Sequence, residues 1–411
     1  MNQTIRSRIE QIKRGAIPDG YKKTKVGIVP KEWTEHTLSE IFDFKNGLNK
    51  EKEAFGKGTP IVNYTDVWGK RGLLKENIKG KVLLPKNEID LYKVEEGDVF
   101  FTRTSETIEE IGLSSVLLEP INDCVFSGFV LRARPKKAGI VKEYNIYCYS
   151  SAIMRHEITR KSSMTTRALT NGTLLGEVNI NLPNQKEQEK IAEILQEQDR
   201  LIELKEKLTE EKKKQKQYLM EVLLTGKVRL PGFTDEWEST TLGDIAKMYQ
   251  PQTLTQEEIN LHAGYPVYGA NGVIGFYEKF NHFEPQIIIT CRGSTCGTVL
   301  LTVPKSWING NAMVINVDSN KSVNKLFMYY LFSSIDFSPI ISGSGQPQIV
   351  RSPLSKWGIK IPKIEEQEKI SKILKEADEE IKLLETELEE QKRKKQSLMQ
   401  LLLTGIVRVK A

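Results

Sequence analysis

Two arginines, each placed just after an apolar run, carry the most evident chemistry in this sequence. Arg103 follows GDVFFT and is followed by Thr104 and Ser105, while Arg292 follows PQIIITC and is followed shortly by Ser294. Such short apolar runs predict buried strands, so these side chains are expected where a strand ends. A guanidinium there can fork onto two acceptors of a base edge, clamp a phosphate or pair with an internal carboxylate. The sequence leaves all three roles open.

Polar, turn-like segments accompany both apolar runs. They are Asn63-Tyr64-Thr65, the stretch YGANG with Tyr268 and Asn271, and the stretch SGSGQ with Ser344 and Gln346. Side chains in such turns are available for binding, and glycines allow a close backbone approach. Turn formation alone also explains this composition, so a purely structural role remains the alternative.

Recognisable catalytic patterns are absent from the sequence. It contains no GxxxxGK[ST] loop, HExxH or CxxC spacing, and no methyltransferase-like glycine loop or Asn-Pro-Pro-aromatic motif. The four histidines are scattered, and Cys291 and Cys296 lack matching partners, so buried thiols are expected there. A catalytic role therefore has no positive support.

An internal repeat organises the chain around these residues. The segment 183–229 aligns without a gap to 362–408, with 26 identities in 47 positions, including the EQEKI start and the LLTGxVR end. A second pair of markers, Glu32-Trp33 and Glu236-Trp237, opens each half. The sequence thus predicts a duplicated frame that holds two divergent inserts. We expect an N-terminal segment over 1–28, a first insert over 29–182 and a second insert over 227–361. The frame helices are expected over 183–226 and 362–405, and a short tail over 406–411.

Each frame segment predicts a long helix, and each insert predicts a mixed α+β domain. The apolar positions of the second helix follow alternating spacings of four and three, interrupted at Gln391 and Lys395. The expected seam residues are Ile191, Leu195, Ile202, Leu219, Ile370, Leu374, Ile381, Leu384, Leu388 and Leu398. A narrow apolar stripe on so long a helix needs a partner, so we expect the two helices to pair antiparallel. Two independent surface helices are the alternative.

Composition and charge limit the class of protein. The 411 residues are 39% hydrophobic and 28% charged, and no apolar run is long enough to span a membrane. Four cysteines do not make a disulfide framework, and the N-terminus lacks the apolar core of a secretory signal, so a soluble cytoplasmic protein is expected. The net charge is +6, and the predicted helices 184–224 and 363–403 are slightly acidic. The basic excess is therefore expected in the inserts and the N-terminal segment, where a polyanion would bind.

The order of these features resembles the specificity subunit of type I restriction–modification systems, over nearly the whole chain. The residues that carry the resemblance are Trp33, Leu38, Gly97, Asp98, Pro183, Glu187, Gln188, Ile191 and Leu223–Gly226, then Trp237, Leu242, Pro362, Glu366, Gln367, Ile370 and Leu402–Gly405. No single motif decides the matter, but their order and duplication are specific.

The resemblance implies a non-catalytic reader of double-stranded DNA. Each insert would be a target-recognition domain for one half of a bipartite, asymmetric site, and the helix pair would set the spacer and dock two modification subunits. S-adenosylmethionine, ATP and magnesium would belong to the modification and restriction subunits, with no metal or cofactor in this chain. The implied fold is two α/β recognition domains separated by antiparallel coiled-coil helices, in a pseudo-two-fold repeat.

This resemblance turns the polar residues above into DNA-binding candidates. They are Asn63, Tyr64, Thr65, Arg103, Thr104, Ser105, Tyr268, Asn271, Arg292, Ser294, Ser344 and Gln346. A coiled-coil scaffold whose inserts bind proteins is the competing function. The stretch KVGIVPKEW near the N-terminus also resembles the continuation of the first frame helix without its helix. We therefore expect the N-terminal segment, with a helix over 5–14, to pack near the end of the second frame helix.

Overall fold

The computed structural model of the protein describes residues 3–136, 139–270, 272–343 and 345–409. The chain forms two compact units, one made of residues 1–204 and 388–411 and the other of residues 205–387. Each unit contains one insert and one end of each long helix. Both units mix helices and sheets, which confirms the predicted fold class.

The first unit begins with a short helix and a β-hairpin, followed by the first insert. Its helices before the long pair are α1 (Gln3–Lys13), α2 (Leu38–Ile41), α3 (Tyr64–Val67), α4 (Lys86–Tyr92), α5 (Lys142–Cys148), α6 (Ala152–Lys161) and α7 (Gly172–Gly176). Its strands are β1 (Tyr21–Thr24), β2 (Gly27–Pro30), β3 (Thr34–Thr37), β4 (Phe42–Asn46), β5 (Phe55–Val62), β6 (Gly72–Leu73), β7 (Lys81–Val82), β8 (Val99–Thr102), β9 (Thr104–Ser105), β10 (Ser114–Leu117), β11 (Val125–Phe126), β12 (Val130–Pro135), β13 (Ser163–Met164), β14 (Ala168–Leu169) and β15 (Asn179–Leu182).

A five-stranded sheet in the order β4-β12-β8-β10-β6 is the centre of this domain. Strand β8 lies in its middle and pairs antiparallel with both neighbours. Successive side chains of a strand point to opposite faces, and both faces are covered here. Phe100 packs into a cluster with Val62 and Phe126, whereas Phe101 packs into another with Tyr149. Burial on both sides explains why the run before Arg103 is continuously apolar.

The second unit repeats this arrangement with fewer strands. The first long helix, α8 (Gln185–Leu223), leads into strand β16 (Glu238–Thr241), helix α9 (Leu242–Ile245) and strands β17 (Lys247–Tyr249), β18 (Tyr265–Gly269), β19 (Gly272–Tyr277), β20 (Ile287–Thr290), β21 (Val299–Leu301), β22 (Trp307–Ile308) and β23 (Ala312–Asn316). Helices α10 (Lys325–Ser333) and α11 (Arg351–Ser355), strand β24 (Gly358–Ile361) and the second long helix α12 (Ile364–Leu402) complete the chain.

The main sheet of the second unit has the order β17-β23-β20-β21. A smaller sheet, β19-β18-β22, includes part of the YGANG stretch, because Tyr268 and Gly269 end β18 and Gly272 begins β19. Strand β20 is buried on both faces, as β8 is in the first unit. Ile287 and Ile289 belong to one core cluster and Ile288 to another.

The residues that repeat between the two halves build the same joint twice. Gln188 accepts a hydrogen bond from the Val141 backbone N–H at 2.8 Å and donates to the Pro183 carbonyl at 2.9 Å. The equivalent Gln367 accepts from the Asn324 N–H at 2.8 Å and donates to the Pro362 carbonyl at 2.8 Å. Each glutamine thus ties the first turn of its long helix to the insert that precedes it.

A buried carboxylate lies beside each of these glutamines. Glu187, 1% exposed, accepts two hydrogen bonds from the Arg408 guanidinium, and Glu366, also 1% exposed, accepts two from Arg229. Arg229 and Arg408 are the last residues of the two LLTGxVR motifs. In each copy of the motif, the arginine gives a buried carboxylate a bidentate cationic partner.

In the second unit, segments of α8 and α12 run antiparallel and are joined by ion pairs. Lys205 contacts Glu387, Lys212 contacts Glu380 and Lys216 contacts Asp378. In the first unit, Gln198 hydrogen-bonds Gln391 at 3.1 Å and Lys395 pairs with Asp199. Gln391 and Lys395, which interrupt the apolar pattern in the sequence, therefore make polar contacts between the helices.

The predicted seam residues are all buried or half-buried, but they do not form one continuous apolar stripe. Ile191 and Leu195 belong to the core of the first unit, and Ile370 and Leu374 belong to that of the second. Ile381 is 9% exposed, whereas Ile202, Leu219, Leu384, Leu388 and Leu398 are half-buried. The apolar residues near the helix ends thus pack against the domain cores. Elsewhere along the helices, ion pairs and amide contacts join α8 to α12.

The N-terminal segment lies against the end of α12. The Tyr21 hydroxyl donates to the Gly405 carbonyl at 2.7 Å, and the Arg8 guanidinium donates to the Ile406 carbonyl. Gly405 has φ +68°, and a Cβ there would lie 2.5 Å from Pro30 Cδ, so the close approach requires glycine.

Candidate nucleic-acid interface

In the first unit, Arg103 lies at the exit of the buried strand β8, as the sequence predicts. Its side chain turns inward, however, and its Nη1 donates to the Gly128 carbonyl at 2.8 Å. Its backbone N–H also donates to the Phe129 carbonyl at 3.3 Å. Arg103 therefore holds the turn 127–129 in place, an internal role close to the structural alternative that the sequence left open.

The turn that Arg103 holds forms one wall of an open cleft of about 480 Å³. Three predicted residues, Tyr64, Thr104 and Ser105, meet in this cleft although 40 residues separate the first two. The other lining residues are Trp68, Glu106, Thr107, Glu110, Phe129 and Arg167, none of which the sequence had singled out. Arg167 arrives through the neighbouring strand β14, which pairs with β9.

Local structure determines how Tyr64 reaches the cleft. The Asn63 N–H donates to the Asp66 carboxylate at 2.8 Å, and this contact starts the short helix α3. The Asn63 side chain donates to the Ile61 carbonyl at 3.3 Å, so Asn63 is occupied within its own turn. Thr65 is exposed and does not line the cleft.

The cleft offers donors, acceptors and apolar faces together. Burial, with a smaller contribution from Glu110, raises the pKa of Tyr64, so its hydroxyl stays a donor at neutral pH. Ser105 Oγ lies 3.4 Å from Glu110, which leaves most of that carboxylate's accepting capacity available. The rings of Trp68 and Phe129 are 48% and 63% exposed. Carboxylates accept from the exocyclic amines of bases, and aromatic faces pack on bases or thymine methyl groups.

In the second unit, Arg292 lies at the exit of β20 and points outward. Arg292 and Gln348 pair as an isolated β-bridge, the Gly293 N–H donates to the Pro347 carbonyl at 3.1 Å, and the Ile349 N–H donates to the Cys291 carbonyl at 3.1 Å. Backbone hydrogen bonds therefore hold this loop against residues 347–349. The Arg292 side chain is exposed and has no ion pair with any acidic residue in the described ranges.

Three predicted segments converge around Arg292. Besides the loop 342–349, the turn after β18 lies close by, because its Ala270 carbonyl accepts hydrogen bonds from Thr290 at 2.6 Å and Thr295 at 3.3 Å. Ser294 and Gln346 are exposed on this surface. Asn271 and Ser344 lie outside the described residues.

Two expectations about the second unit need correction or refinement. Tyr268 is 8% exposed and packs in a core cluster, and its hydroxyl accepts from the Val303 N–H at 3.1 Å. Its position in the strand β18 makes it a core residue, so its side chain is not available to a base. Burial raises the pKa of the Cys291 thiol, as expected for a buried cysteine, whereas Cys296 is only half-buried.

The comparisons with known proteins identify the class to which this surface belongs. The family model described as type I restriction modification DNA specificity domain matches residues 30–213 and 234–393. The chain belongs to this specificity family. Its role is therefore DNA recognition, and a protein-binding scaffold is not favoured. The two matches, one in each half, also agree with the internal repeat.

Individual members of the family align along most of the chain. A Methanocaldococcus jannaschii protein provisionally named the MjaX type I restriction enzyme specificity subunit is 26% identical, over 95% of this chain and 97% of its own. The Escherichia coli EcoprrI specificity subunit is 26% identical, over 84% and 87%. The S subunit structure from M. genitalium has the same fold, with a TM-score of 0.59, 18% identity and coverage of 90% and 96%.

Two further findings concern the described residues. They contain no group of three or more His, Cys, Asp or Glu side chains arranged to hold a metal ion. None of the helices in the described ranges is both long and apolar enough to cross a membrane. Members of this specificity family are generally non-catalytic.

Proposed function

We propose that each recognition domain of this specificity protein reads one half of a bipartite, asymmetric DNA site. The observation that carries the proposal is the exposed Arg292, which has no ion pair within the described residues and lies where three loops meet. A guanidinium positioned by backbone bonds can fork onto guanine O6 and N7. In the first domain, the cleft around Tyr64, Thr104 and Glu110 would contact bases through hydroxyl and carboxylate groups instead of a guanidinium.

The two domains then recognise different half-sites because their sites differ in charge and shape. The first offers carboxylate acceptors and aromatic faces, whereas the second offers a guanidinium and polar loop residues. Carboxylates favour the amino groups of cytosine or adenine, and arginine favours guanine. The combined site is therefore asymmetric even though the frame is duplicated.

We further propose that catalysis resides in partner subunits. Two modification subunits would dock on the helix pair and supply S-adenosylmethionine chemistry, and restriction subunits would supply the ATP- and magnesium-dependent steps. Membership of the specificity family supports this division, as does the lack of catalytic motifs in the sequence. The helix pair would set the spacer between the two half-sites.

Methylome sequencing of a host that carries the modification partner first reveals the cognate site. The experiment then compares Arg292→Ala and Arg292→Lys with the wild type. Affinity for cognate and unrelated duplexes is measured across a salt series. Arg292→Ala should cost about 1–3 kcal/mol on the cognate site and much less on unrelated DNA. Lysine should restore the affinity only in part, because a point charge lacks the planar fork.

Lys321→Ala is the matched control, because Lys321 is also an exposed cation of the second unit and lies outside the Arg292 loops. It removes the same charge and should leave the preference for the cognate site unchanged. Equal losses on both duplexes for Arg292→Ala would instead mean that Arg292 clamps a phosphate. A lower melting temperature in that variant would point to a structural role.

A further inference from the structure

The net positive charge of this protein is confined to its first 31 residues, which are the N-terminal segment 1–28 and the three residues after it. Residues 1–31 contain eight Lys/Arg and two Asp/Glu, a net charge of +6, which equals the net charge of the whole chain. Residues 32–182, which form the first recognition domain, contain 21 of each sign. Residues 230–361 contain nine basic and ten acidic side chains. The expectation of a basic excess in the inserts is therefore wrong, because both recognition domains are close to neutral.

The cations of this segment are held on an ordered structure. Helix α1 turns Ile5, Ile9 and Ile12 toward the protein, where they are half-buried, while Arg6, Lys13 and Arg14 are exposed. Arg8 anchors the helix, because its guanidinium reaches the Ile406 carbonyl and lies 5.0 Å from the centre of the Tyr21 ring. The segment is thus a fixed basic surface of the first unit.

Charges on this surface are not neutralised as they are elsewhere in the protein. Within the described residues, Arg6, Lys13, Arg14 and Lys23 form no ion pair with an acidic side chain. By contrast, lysines of the long helices pair with carboxylates, as Lys205 does with Glu387 and Lys212 with Glu380. At physiological ionic strength a free cation attracts a polyanion within about 8 Å, whereas a paired one adds little.

We propose that this N-terminal basic surface binds the phosphate backbone of DNA without regard to sequence. This inference rests on the proposed function, because it takes duplex DNA as the ligand. DNA is the partner that the charges favour, since an uninterrupted line of phosphates matches a fixed array of unpaired cations. The two neutral domains then supply sequence discrimination, while the N-terminal surface supplies the attraction. Phosphate contacts position a protein on DNA and base contacts specify the site.

The test is a triple variant, Arg6→Gln, Lys13→Gln and Arg14→Gln, in the full-length chain with its modification partner. Each lost phosphate contact should make the slope of log affinity against log salt less steep by about 0.9. Three contacts give a change of about 2–3, so that between 50 and 200 mM salt the affinity of the wild type falls about 40-fold more than that of the variant. Cognate and unrelated duplexes should be affected alike.

The matched control is Lys52→Gln, Lys57→Gln and Lys79→Gln, which removes three exposed cations from the first recognition domain. Its net charge changes by the same amount, but its salt slope should stay at the wild-type value. Equal changes in the two triple variants would show that total charge matters and would overturn the inference. The inference would also be overturned if the N-terminal variant kept the wild-type salt slope but no longer co-purified with the modification partner. That result would mean that the surface binds a protein.

The outcomes also separate this inference from the proposed function. A wild-type protein that does not prefer its cognate duplex contradicts the proposed function itself. A wild type that discriminates normally, with an N-terminal variant of unchanged salt slope, contradicts only the phosphate-binding surface. Unchanged melting temperatures in both triple variants establish that the proteins compared are folded.

Discussion

The Tyr330 hydroxyl donates a 2.7 Å hydrogen bond to one carboxylate oxygen of Asp378, while the ammonium of Lys216 contacts the other oxygen at 2.5 Å. Tyr330 lies on α10 of the second recognition domain, Asp378 on α12 and Lys216 on α8. In the first unit, Tyr147, Asp199 and Lys395 form the same contacts, and Asp199 and Lys395 occupy the repeat positions of Asp378 and Lys216. In each unit, therefore, one carboxylate connects a recognition domain with both long helices.

Removing the hydroxyl of Tyr330 should loosen this connection in the second unit. Tyr330→Phe keeps the buried ring but removes the tyrosine donor to Asp378, which retains its contact with Lys216. Hydrogen bonds to charged groups contribute about 1.5–3 kcal/mol. Because Asp378 is partly exposed, we expect a loss of about 1 kcal/mol in the free energy of unfolding, measured by urea denaturation. Tyr329→Phe is the control, since Tyr329 has no such contact with Asp378. Equal losses in the two variants would contradict the role of this hydrogen bond.

A charge on the buried side of α12 should disrupt the pairing of the helices. Ile381 is 9% exposed, so Ile381→Asp should lower the free energy of unfolding by about 2–4 kcal/mol, through lost burial and an unpaired carboxylate. Leu383, two residues away, is 60% exposed, and Leu383→Asp should have little effect. The two variants carry the same new charge, so a comparable loss in both would rule out the seam position of Ile381.

The stability of the second unit should fall as the pH drops below about 6.5, the ordinary pKa of histidine. Burial lowers the pKa of His282, and the carboxylate of Asp318 offsets only part of this effect. Its Nε2 lies 2.8 Å from the Tyr249 hydroxyl and its Nδ1 lies 2.6 Å from Asn281 Oδ1, so the neutral ring satisfies both contacts.

Proton linkage explains why the free energy of unfolding falls in acid. Below the unfolded pKa, the unfolded chain takes up a proton that the folded chain resists, so acid favours unfolding. Free energies of unfolding measured from pH 5 to 8 should show this loss for the wild type and a smaller one for His282→Gln. His262→Gln, at an exposed position, should behave as the wild type does. Identical pH profiles for the wild type and His282→Gln would show that His282 does not cause the loss of stability in acid.

The two recognition domains should specify their half-sites independently. Replacing residues 238–361 by the corresponding insert of another specificity protein should change one half of the methylated motif and preserve the other half and the spacer. Methylome sequencing of a host that expresses the chimera with its modification partner gives the answer directly. A change in both halves, or a new spacer length, would contradict the model of two separate readers.

Much of the architecture could be predicted from the amino-acid sequence, because it depends on patterns that are local or repeated. The two long helices follow from an apolar period and from a duplicated segment with matching start and stop residues. The continuously apolar runs before Arg103 and Arg292 indicate strands covered on both faces, and β8 and β20 are buried in this way. Sequence spacing also identified Ile191 and Ile370 as buried, although not that each packs into the core of its own unit.

Only the tertiary structure distinguished the two arginines, which occupy the same local pattern. The turn 127–129, some 25 residues beyond Arg103 in the chain, presents the Gly128 carbonyl to the guanidinium and draws it inward. The loop 342–349 meets Cys291 and Gly293 backbone to backbone, and among the described residues no acidic side chain pairs with Arg292, which stays exposed. Whether a polar side chain is satisfied internally depends on the acceptors that distant segments bring to it, and neither residue type nor spacing contains that information.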